Sequence, residues 1–341
     1  MSRVALFVTD ALPDEARRLL SGFDVYESSA DDATLGRCEA LICFPGRVKG
    51  DLLRKMKNLR VVQTLSAGVD GLDFGALPPG TKVFSNAGAF TESVGEHAWG
   101  LLLGVSKGVH LRNVRTTPRM LRGKTLLVIG CGAIGSEVAR LSKSISMRTV
   151  GVSRSFRSPE LYDELHPVSD LPKVMGGADA IVVTLPLTNG TKGLLSYELL
   201  SAAKEAVILV NIGRGETIDE EGLVRWLKER PESRFATDVY WRKDGREQFS
   251  TPAWDLPNFA GSLHNAGVPL GEDLAGVKVA AAGNVKRYFE TGTALNQVDV
   301  SEYRSNVLQP PERLNMRRGG RAEQGHRNAK KEIRHKRVRG T

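Results

Sequence analysis

The stretch "TLLVIGCGAIGSEVARLSKSISMRTVGVSR", residues 125–154, determines the fold of this chain. An apolar run leads into a glycine motif at 130–135, and a segment with helical spacing and a second apolar run follow it. This order of strand, turn, helix and strand is typical of a dinucleotide-binding unit, in which the N-terminus of the helix faces the pyrophosphate. The stretch therefore predicts a Rossmann-type α/β fold with a doubly wound parallel sheet.

Each residue of the glycine motif has an expected role in binding the cofactor. Gly130 makes the tight turn, Gly132 lets the backbone approach the pyrophosphate, and Gly135 lets the helix pack closely on the strand. Ala133 and Ile134 stand at the start of the helix. We therefore predict that all five residues contribute to the dinucleotide site.

The residue that selects the ribose is expected about 20 residues beyond the motif. Arg154 stands 19 residues past Gly135, where an acid that accepts bonds from an unmodified ribose is usual. A guanidinium only donates hydrogen bonds, but it can hold a 2′-phosphate, to which Ser153 and Arg157 would add donors. We predict NADP(H) as the preferred cofactor and NAD(H) as the alternative. An arginine that merely faces solvent is the competing interpretation.

Short apolar runs alternate with helical stretches, which predicts βαβ units on parallel sheets. The runs are continuous, as expected for strands covered on both faces. Two sheets are expected, one before residue 92 and one over about 124–264, joined by a long helix that Thr91 would cap. A second long helix over about 270–290 would return the chain to the first domain. The candidate strands are 4–8, 40–44, 60–65, 125–130, 148–153, 180–185 and 206–212.

The composition excludes several classes of protein. The chain has 341 residues, of which 41% are hydrophobic, and this is enough for two domains with full cores. It has no apolar run of about 18 residues and no signal-peptide pattern, so we expect neither a membrane span nor secretion. Its three cysteines lack the spacing of a zinc site or a disulfide framework, and they fit a cytoplasmic protein.

The positive charge is concentrated at the C-terminus. Residues 312–341 contain eleven Lys and Arg against three acids, so that they hold +8 of the net charge of +9. Large apolar residues are few there, and we predict that residues 304–341 form a disordered basic tail. A nucleic-acid arm is the second interpretation, which the lack of aromatic residues for base stacking disfavours.

Six segments in order resemble the D-isomer-specific 2-hydroxyacid dehydrogenases, and the similarity extends over about residues 40–303. The resemblance implies a flavodoxin-like α/β substrate domain built from both chain ends, 1–92 and 266–303, and a Rossmann NAD(P)-binding domain at 93–265. It also implies hydride transfer to or from a small 2-keto or 2-hydroxy acid of the glyoxylate or hydroxypyruvate type, and a homodimer through the cofactor domain. The segments are "LSAGVDGLD" (65–73), "SVGEHA" (93–98), "LRGKTLLVIGCGAIG" (121–135), "LPLTNGTKGLL" (185–195), "VNIGRGETIDEEGLVRWL" (210–227) and "NFAGSLHNAG" (258–267).

The same resemblance assigns roles in catalysis. Arg214 follows an apolar strand, and its fork can bind both the carboxylate and the carbonyl oxygen of the substrate. His264 is the implied proton donor and acceptor, since histidine exchanges protons near neutral pH. The backbone N–H groups of Ala67, Gly68 and Val69 would bind the substrate carboxylate.

Further positions are implied to line the cofactor. Asp238 matches the acid that contacts the nicotinamide amide, while Thr184, Pro186 and Ile212 fall where family members line the dinucleotide. His97 also matches a family motif, but it lies inside the long helix, and we interpret it as a packing residue.

One part of the pattern departs from the family. A glutamate is usual five residues after the acid matched by Asp238, where it pairs with the histidine and favours its protonated form. This chain has Lys243 at that position, and its charge would act in the opposite sense. We favour Asp244 as the partner of His264 because it is next in the chain. Glu247 is the alternative, and the absence of any acidic partner also stays open.

Two other functions remain open at this point. A non-catalytic dinucleotide sensor, similar to the corepressors that resemble this family, would fit the missing glutamate and the basic tail. Arg214 and His264 favour an enzyme instead. Phosphite or formate oxidation would use the same scaffold, although formate enzymes usually have an amide in place of the glutamate.

Overall fold

The computed structural model describes residues 3–111, 116–267 and 274–304. Two parallel sheets with covering helices form the described part of the chain. The predicted Rossmann-type α/β architecture is therefore confirmed, while the predicted basic tail from residue 305 onward lies outside the described residues.

The first sheet contains five parallel strands, and their spatial order is 2-1-3-4-5. This order reverses the direction of winding beside the first strand, which is the flavodoxin-like arrangement. The strands are β1 (Val4–Val8), β2 (Phe23–Glu27), β3 (Ala40–Cys43), β4 (Val61–Thr64) and β5 (Lys82–Phe84). The helices between them are α1 (Asp14–Leu19), α2 (Asp32–Arg37) and α3 (Gly50–Lys55).

The second sheet contains seven parallel strands. They are β6 (Thr125–Ile129), β7 (Arg148–Val152), β8 (Glu164–His166), β9 (Ala180–Val183), β10 (Ile208–Asn211), β11 (Arg234–Thr237) and, after the hairpin of β12 (Arg242–Lys243) and β13 (Arg246–Glu247), β14 (Phe259–Gly261). Their spatial order is β14-β11-β10-β9-β6-β7-β8. Leu127 of β6 pairs with Val150 on one side and with Ile181 on the other. The winding reverses at β6, and the crevice at its carboxyl end is where such sheets bind ligands.

The longest helix of the second half begins the crossing from the first sheet. It starts at Thr91 itself, after Phe90, so the expectation that Thr91 caps the helix was wrong by one position. The Thr91 hydroxyl instead donates to Gly88 O at 2.9 Å. The helices of this half are α4 (Thr91–Lys107), α5 (Ala133–Ser144), α6 (Leu171–Val174), α7 (Tyr197–Ser201) and α8 (Glu220–Glu229). Short 3₁₀ helices lie at Pro45–Arg47, Phe74–Ala76, Pro159–Leu161, Val168–Asp170, Met175–Gly177, Gly215–Thr217, Pro252–Asp255 and Val300–Glu302.

The last long helix, α9 (Ala275–Thr291), returns to the first sheet. Ala281, Ala282 and Val285 are buried where the helix packs on β3 and β4, because their small side chains let the helix approach the sheet. The start of the predicted helix, at about 270, falls among residues that the structure does not describe. This packing supports a first domain that both chain ends build. Within the described ranges, no helix is long and apolar enough to cross a membrane.

The residues after α9 contact both halves of the molecule. We call residues 299–304 the C-terminal strap. Its Tyr303 ring stacks on Phe74 below the first sheet, with ring centroids 4.8 Å apart. On the other side, the backbone N–H of Asn189 donates to Glu302 O at 2.9 Å. The strap therefore spans the cleft between the two sheets.

Candidate active site

The glycine motif follows the carboxyl end of β6 and has the geometry of a dinucleotide turn. Gly130 has a φ of 102°, which favours glycine. A Cβ on Gly135 would lie 2.1 Å from Gly130 O, so no side chain fits between strand and helix. Gly132 is exposed and a Cβ there would meet no atom within 4 Å, and α5 begins at the next residue, Ala133. The turn thus leaves open space at a helix N-terminus, which fits the pyrophosphate of a dinucleotide.

Other residues predicted to line the cofactor lie at the same edge of the second sheet. The Thr184 hydroxyl donates to Gly130 O at 2.5 Å and so fixes the turn against β9. Pro186 follows two residues later, and its carbonyl accepts a bond of 2.6 Å from Thr191. Ile212 is buried just beyond β10. The sequence motifs therefore converge at one edge, as parallel strands require.

The two candidate ribose selectors follow β7, and one of them has a partner that the sequence did not indicate. Arg154 forms an exposed ion pair with Glu302 of the C-terminal strap, and a second contact in this pair, Nη2 to Oε2, measures 3.1 Å. Arg157 is exposed, and its backbone N–H donates to Cys131 O in the glycine motif at 3.1 Å. Ser153 lies directly after the strand. Arg154 thus lies just after β7, as the spacing predicts, but it is not a free cation, and its role as a ribose selector stays a prediction.

The substrate loop follows β4 and faces Arg214. Ser66 Oγ donates to Gly68 O at 2.7 Å, which shapes the turn. A Cβ on Gly68 would lie 1.7 Å from Arg214 Nη2, so only glycine fits beside the guanidinium. Ala67 is partly accessible and Val69 is buried in the core of the first sheet. The structure therefore brings the predicted loop and the predicted arginine together across the two halves of the molecule.

Arg214 lies between β10 and a short 3₁₀ helix, with two of its three nitrogens bound to the protein. Its Nε donates to Asp70 Oδ1 at 3.1 Å, and its Nη1 donates to Gly213 O at 2.8 Å. Its Nη2 has no hydrogen-bond partner among the residues that the structure describes, and it lies against Gly68. The guanidinium is therefore held along one edge and offers Nη2 to a ligand.

Asp70 is a site residue that the sequence reasoning missed, although it stands inside the quoted loop motif. Its side chain is only 9% exposed, and it contacts both Arg214 and Arg242. Arg242 in turn donates from Nε to Glu216 Oε1 at 2.7 Å. Burial alone would raise the pKa of Asp70, but the charges of the two arginines lower it below its ordinary value. The carboxylate is consequently ionised and bound on both sides.

His264 is paired with Glu247, and the preference for Asp244 was wrong. The distance between His264 Nδ1 and Glu247 Oε2 is 2.5 Å. Asp244 is exposed at the tip of the β12–β13 hairpin, with a φ of 52°, and contacts no described residue through its side chain. Choosing the acid nearest in the sequence failed because the chain reverses direction in this hairpin. Its second strand, and not its tip, carries the carboxylate to the histidine.

Glu247 is well suited to remain an anion. It is largely buried, and burial alone would raise its pKa. The hydrogen bond to His264, the 2.6 Å bond from Tyr240 N and the charge of Arg214 together lower the pKa below its ordinary value of 4.5. Because Glu247 occupies Nδ1, Nε2 is the imidazole nitrogen left for a substrate.

Asp238 supports the loop that carries His264. Its Oδ1 accepts bonds from Ser262 Oγ at 2.6 Å and from Asn265 N at 3.1 Å, and its Oδ2 accepts from Ala266 N at 3.1 Å. His264 has a φ of 51°, which is uncommon for a residue with a side chain. These bonds from the flanking residues stabilise that conformation. The predicted contact of Asp238 with a nicotinamide amide remains a proposal.

His97 belongs to the same network, on α4. Its Nε2 lies 2.7 Å from Ser262 Oγ and 3.6 Å from Asp238 Oδ1. It therefore reaches the His264 loop through Ser262 and Asp238, which agrees with its interpretation as a packing residue.

These groups surround one small cavity of about 210 Å³. Gly68, Asp70, Arg214, Glu247 and His264 are among the residues that line it. The cavity thus brings together a guanidinium with an available donor and a histidine with a fixed carboxylate partner. Such a set of residues can bind the carboxylate of a small molecule and exchange one proton with another group of that molecule.

Comparison with known proteins agrees with this geometry. Residues 84–266, which include the glycine motif, Arg214 and His264, match the model of the NAD-binding domain of D-isomer-specific 2-hydroxyacid dehydrogenases. Glyoxylate reductase of Aeropyrum pernix is 33% identical over 269 residues, which cover 70% of this chain and 80% of that protein. Hydroxypyruvate reductase of Thermotoga maritima is 30% identical over 292 residues, covering 77% and 92% of the two chains.

A solved structure is similar over nearly the whole described chain. The crystal structure of a Pyrobaculum aerophilum protein, provisionally named a formate dehydrogenase, superposes with a TM-score of 0.75 at 30% identity. The match covers 88% of this chain and 100% of that one. The chain belongs to the D-isomer-specific 2-hydroxyacid dehydrogenases, a family of oxidoreductases that use a nicotinamide dinucleotide.

Proposed function

We propose that this chain is an NADP(H)-dependent reductase of small 2-keto acids of the glyoxylate or hydroxypyruvate type. The observation that carries the proposal is the free Nη2 of Arg214, which faces the Gly68 loop in the same cavity as the His264–Glu247 pair. A substrate carboxylate and its adjacent carbonyl would lie between these groups.

The proposed mechanism assigns one task to each residue. Arg214 Nη2 and the N–H groups of the 67–69 loop bind the carboxylate and orient the carbonyl. A nicotinamide dinucleotide, when bound, supplies the hydride to the carbonyl carbon. The π electrons of the carbonyl move to its oxygen, which takes a proton from His264 Nε2 and becomes the hydroxyl. The imidazole is then neutral, and Glu247 keeps it in the orientation needed for the next proton.

The size of the cavity supports a small substrate. Its volume of about 210 Å³ is below the range of about 300–1,000 Å³ typical of pockets for drug-sized ligands. Glyoxylate and hydroxypyruvate, the substrates in the names of two relatives, are keto acids of that size class. We therefore place substrates with two to four carbons ahead of larger ones.

The preference for NADP(H) rests on Arg154 and Arg157. Neither can accept a hydrogen bond from an unmodified ribose hydroxyl, whereas both can donate to a 2′-phosphate. Because Arg154 is paired with Glu302, a phosphate would have to replace that carboxylate. The exposure of the pair makes such an exchange inexpensive, since exposed ion pairs contribute little.

The sensor interpretation loses one of its two supports. It rested on the absence of a carboxylate beside His264 and on the basic tail, and Glu247 supplies that carboxylate. The homodimer through the cofactor domain stays a prediction, and the nucleic-acid arm stays the disfavoured alternative for the basic tail.

Initial-rate kinetics would test the proposal. Purified protein would be assayed with NADPH and with NADH against glyoxylate, hydroxypyruvate and pyruvate, and in the reverse direction with formate and phosphite. We expect reduction of at least one keto acid, with a higher kcat/KM for NADPH. Failure to oxidise either cofactor with any keto acid would contradict the proposed reductase, and a higher kcat/KM for NADH would contradict only the cofactor preference.

A further inference from the structure

Four charged side chains form a continuous ionic chain at the substrate cavity. Arg214 donates to Asp70, Arg242 donates to the other oxygen of Asp70, and Arg242 also donates to Glu216. The residues come from distant parts of the sequence, since 144 positions separate Asp70 from Arg214 and 172 separate it from Arg242. The chain of contacts therefore joins the substrate loop of the first sheet to the second sheet.

The charged side chains of this chain of contacts are largely buried. Asp70 is 9% exposed and Arg242 is 23% exposed, and Glu216 Oε2 is buried without a hydrogen-bond partner among the described residues. Charges in such surroundings are screened weakly, and each requires a partner in a fixed position. Removing Asp70 would leave Arg214 without its carboxylate partner, and removing Arg242 would leave Glu216 without its guanidinium partner.

The position of Asp70 determines which donor Arg214 offers to a ligand. Asp70 takes Nε and Gly213 O takes Nη1, so the plane of the guanidinium is fixed and Nη2 points at the loop. A carboxylate this close to an anionic substrate would also repel it. Arg242 reduces that repulsion, because its guanidinium binds the second oxygen of Asp70. Glu216 brings the summed charge of the four groups to zero, so it is the orientation of Arg214 Nη2 toward the loop that favours an anionic substrate.

We infer that Asp70 is a positioning residue for Arg214, and that Arg242 makes this use of a carboxylate compatible with an anionic substrate. The inference rests on the proposed function, in which Arg214 binds the substrate carboxylate. It adds two residues to the site, neither of which the sequence motifs single out. Both act on substrate binding and not on the cofactor.

Steady-state kinetics of Asp70→Asn would test the inference, with Asp51→Asn, an exposed carboxylate paired with Arg54, as the matched control. We expect the KM for the keto acid to rise about 10- to 100-fold, because a misplaced guanidinium loses its aligned bonds. The KM for NADPH should change less than about twofold, and the control should equal wild type. Thermal unfolding of each variant would establish that it is folded.

Double variants separate positioning from a purely structural role. If Asp70 acts through Arg214, Asp70→Asn should add little to the loss already caused by Arg214→Met. Arg242→Met should also raise the KM for the keto acid, and the Asp70→Asn/Arg242→Met pair should be no worse than Asp70→Asn alone. Fully additive losses, or equal effects on both substrates, would overturn the inference.

Binding of oxamate, a non-reducible analogue of a 2-keto acid, distinguishes failure of this inference from failure of the proposed function. If wild type binds oxamate but reduces no keto acid, the reductase proposal fails, and the inference is decided by whether Asp70→Asn weakens oxamate at least tenfold. If wild type neither reduces nor binds, Arg214 is not a carboxylate site and both proposals fail. Unchanged oxamate affinity in Asp70→Asn would refute the inference alone.

Discussion

The two arginine–carboxylate pairs at the cleft, Arg214–Asp70 and Arg154–Glu302, differ in how far their side chains are exposed to solvent. On the substrate side, Arg214 is 25% exposed and its partner Asp70 only 9%. On the cofactor side, Arg154 is 68% exposed and its partner Glu302 25%. A buried pair is costly to break and fixes orientation, whereas an exposed pair contributes about 0–1 kcal/mol and can be exchanged. A guanidinium–carboxylate pair thus forms a fixed part of the proposed substrate site, as Arg214–Asp70, and a replaceable contact in the proposed cofactor site, as Arg154–Glu302.

Removal of the guanidinium on the substrate side should have the largest effect. Arg214→Met takes away the donor that aligns the keto acid, and it leaves Asp70 paired with Arg242 alone. We expect kcat/KM for the keto acid to fall about 10²- to 10³-fold, measured by initial rates at saturating NADPH. Arg225→Met, an exposed arginine on α8, is the control and should retain wild-type rates. A loss below tenfold would remove Arg214 from the substrate site.

Removal of the Glu247 carboxylate beside His264 should have the next largest effect on activity. Glu247→Gln should lower kcat/KM for reduction about 10²-fold, because the imidazole loses its orienting anion. The pKa of Glu247 is lowered, so the wild-type carboxylate stays ionised above pH 4.5 and contributes throughout the neutral range. Protonation of Glu247 removes the same anion, so wild type should lose activity at acid pH as this carboxylate is protonated, and the variant should lack that acid-side loss.

Asp244→Asn is the matched control for that variant, since both residues lie in the same hairpin. It should leave the rate and the pH profile unchanged. A pH profile of Glu247→Gln identical to wild type, or a loss confined to Asp244→Asn, would contradict the assignment of Glu247.

Substitution of Arg154 on the cofactor side should have an intermediate effect on cofactor affinity, and the effect should depend on whether the cofactor carries a 2′-phosphate. Arg154→Asp should weaken NADPH about 10- to 100-fold, the size expected for one charge-assisted hydrogen bond, and should change NADH much less. Arg148→Asp, at the opposite end of β7, is the control. Fluorescence quenching would give the dissociation constant of each cofactor for each variant. Equal losses of affinity for NADPH and NADH would mean that Arg154 only faces solvent and does not bind the phosphate.

The smallest effect should come from the partner of Arg154. Glu302→Gln frees the guanidinium without removing it, and we expect NADPH to bind about 2- to 5-fold more tightly, with NADH unchanged. Glu290→Gln, an exposed position on α9, is the control. Weaker binding of NADPH would mean that the ion pair supports the cofactor site and does not compete for it.

The sequence predicted those parts of the structure whose signals are local. The glycine turn of 130–135 requires particular backbone geometry within six residues, and it was placed correctly. Buried strands such as β9 and β10 appear as continuous apolar runs for the same reason. Five strands of the two large sheets, β2, β5, β8, β11 and β14, were missed. Four of them lie at sheet edges, where charged residues such as Glu27 and Glu164 interrupt the apolar run, and the inner strand β11 is short and begins with Arg234.

The remaining features depend on contacts between distant positions. Glu247 reaches His264 only because Asp244-Gly245 turns the chain back, and a D-G pair between short polar strands was the signal that could have indicated this hairpin. No local pattern indicates that Asp70 contacts Arg242 or that Glu302 contacts Arg154. These pairs follow from how the two sheets face each other.

The C-terminal strap has a consequence for the speed of the enzyme. It is attached to one sheet by the stack of Tyr303 on Phe74 and to the other by Glu302 and Asn189, so widening of the cleft has to break one attachment. In the exchange proposed for Arg154, a bound 2′-phosphate would release one of these contacts, whereas NADH would leave it in place. We therefore expect opening to limit turnover with NADH more than with NADPH. A smaller deuterium isotope effect on kcat with labelled NADH than with labelled NADPH would reveal that difference.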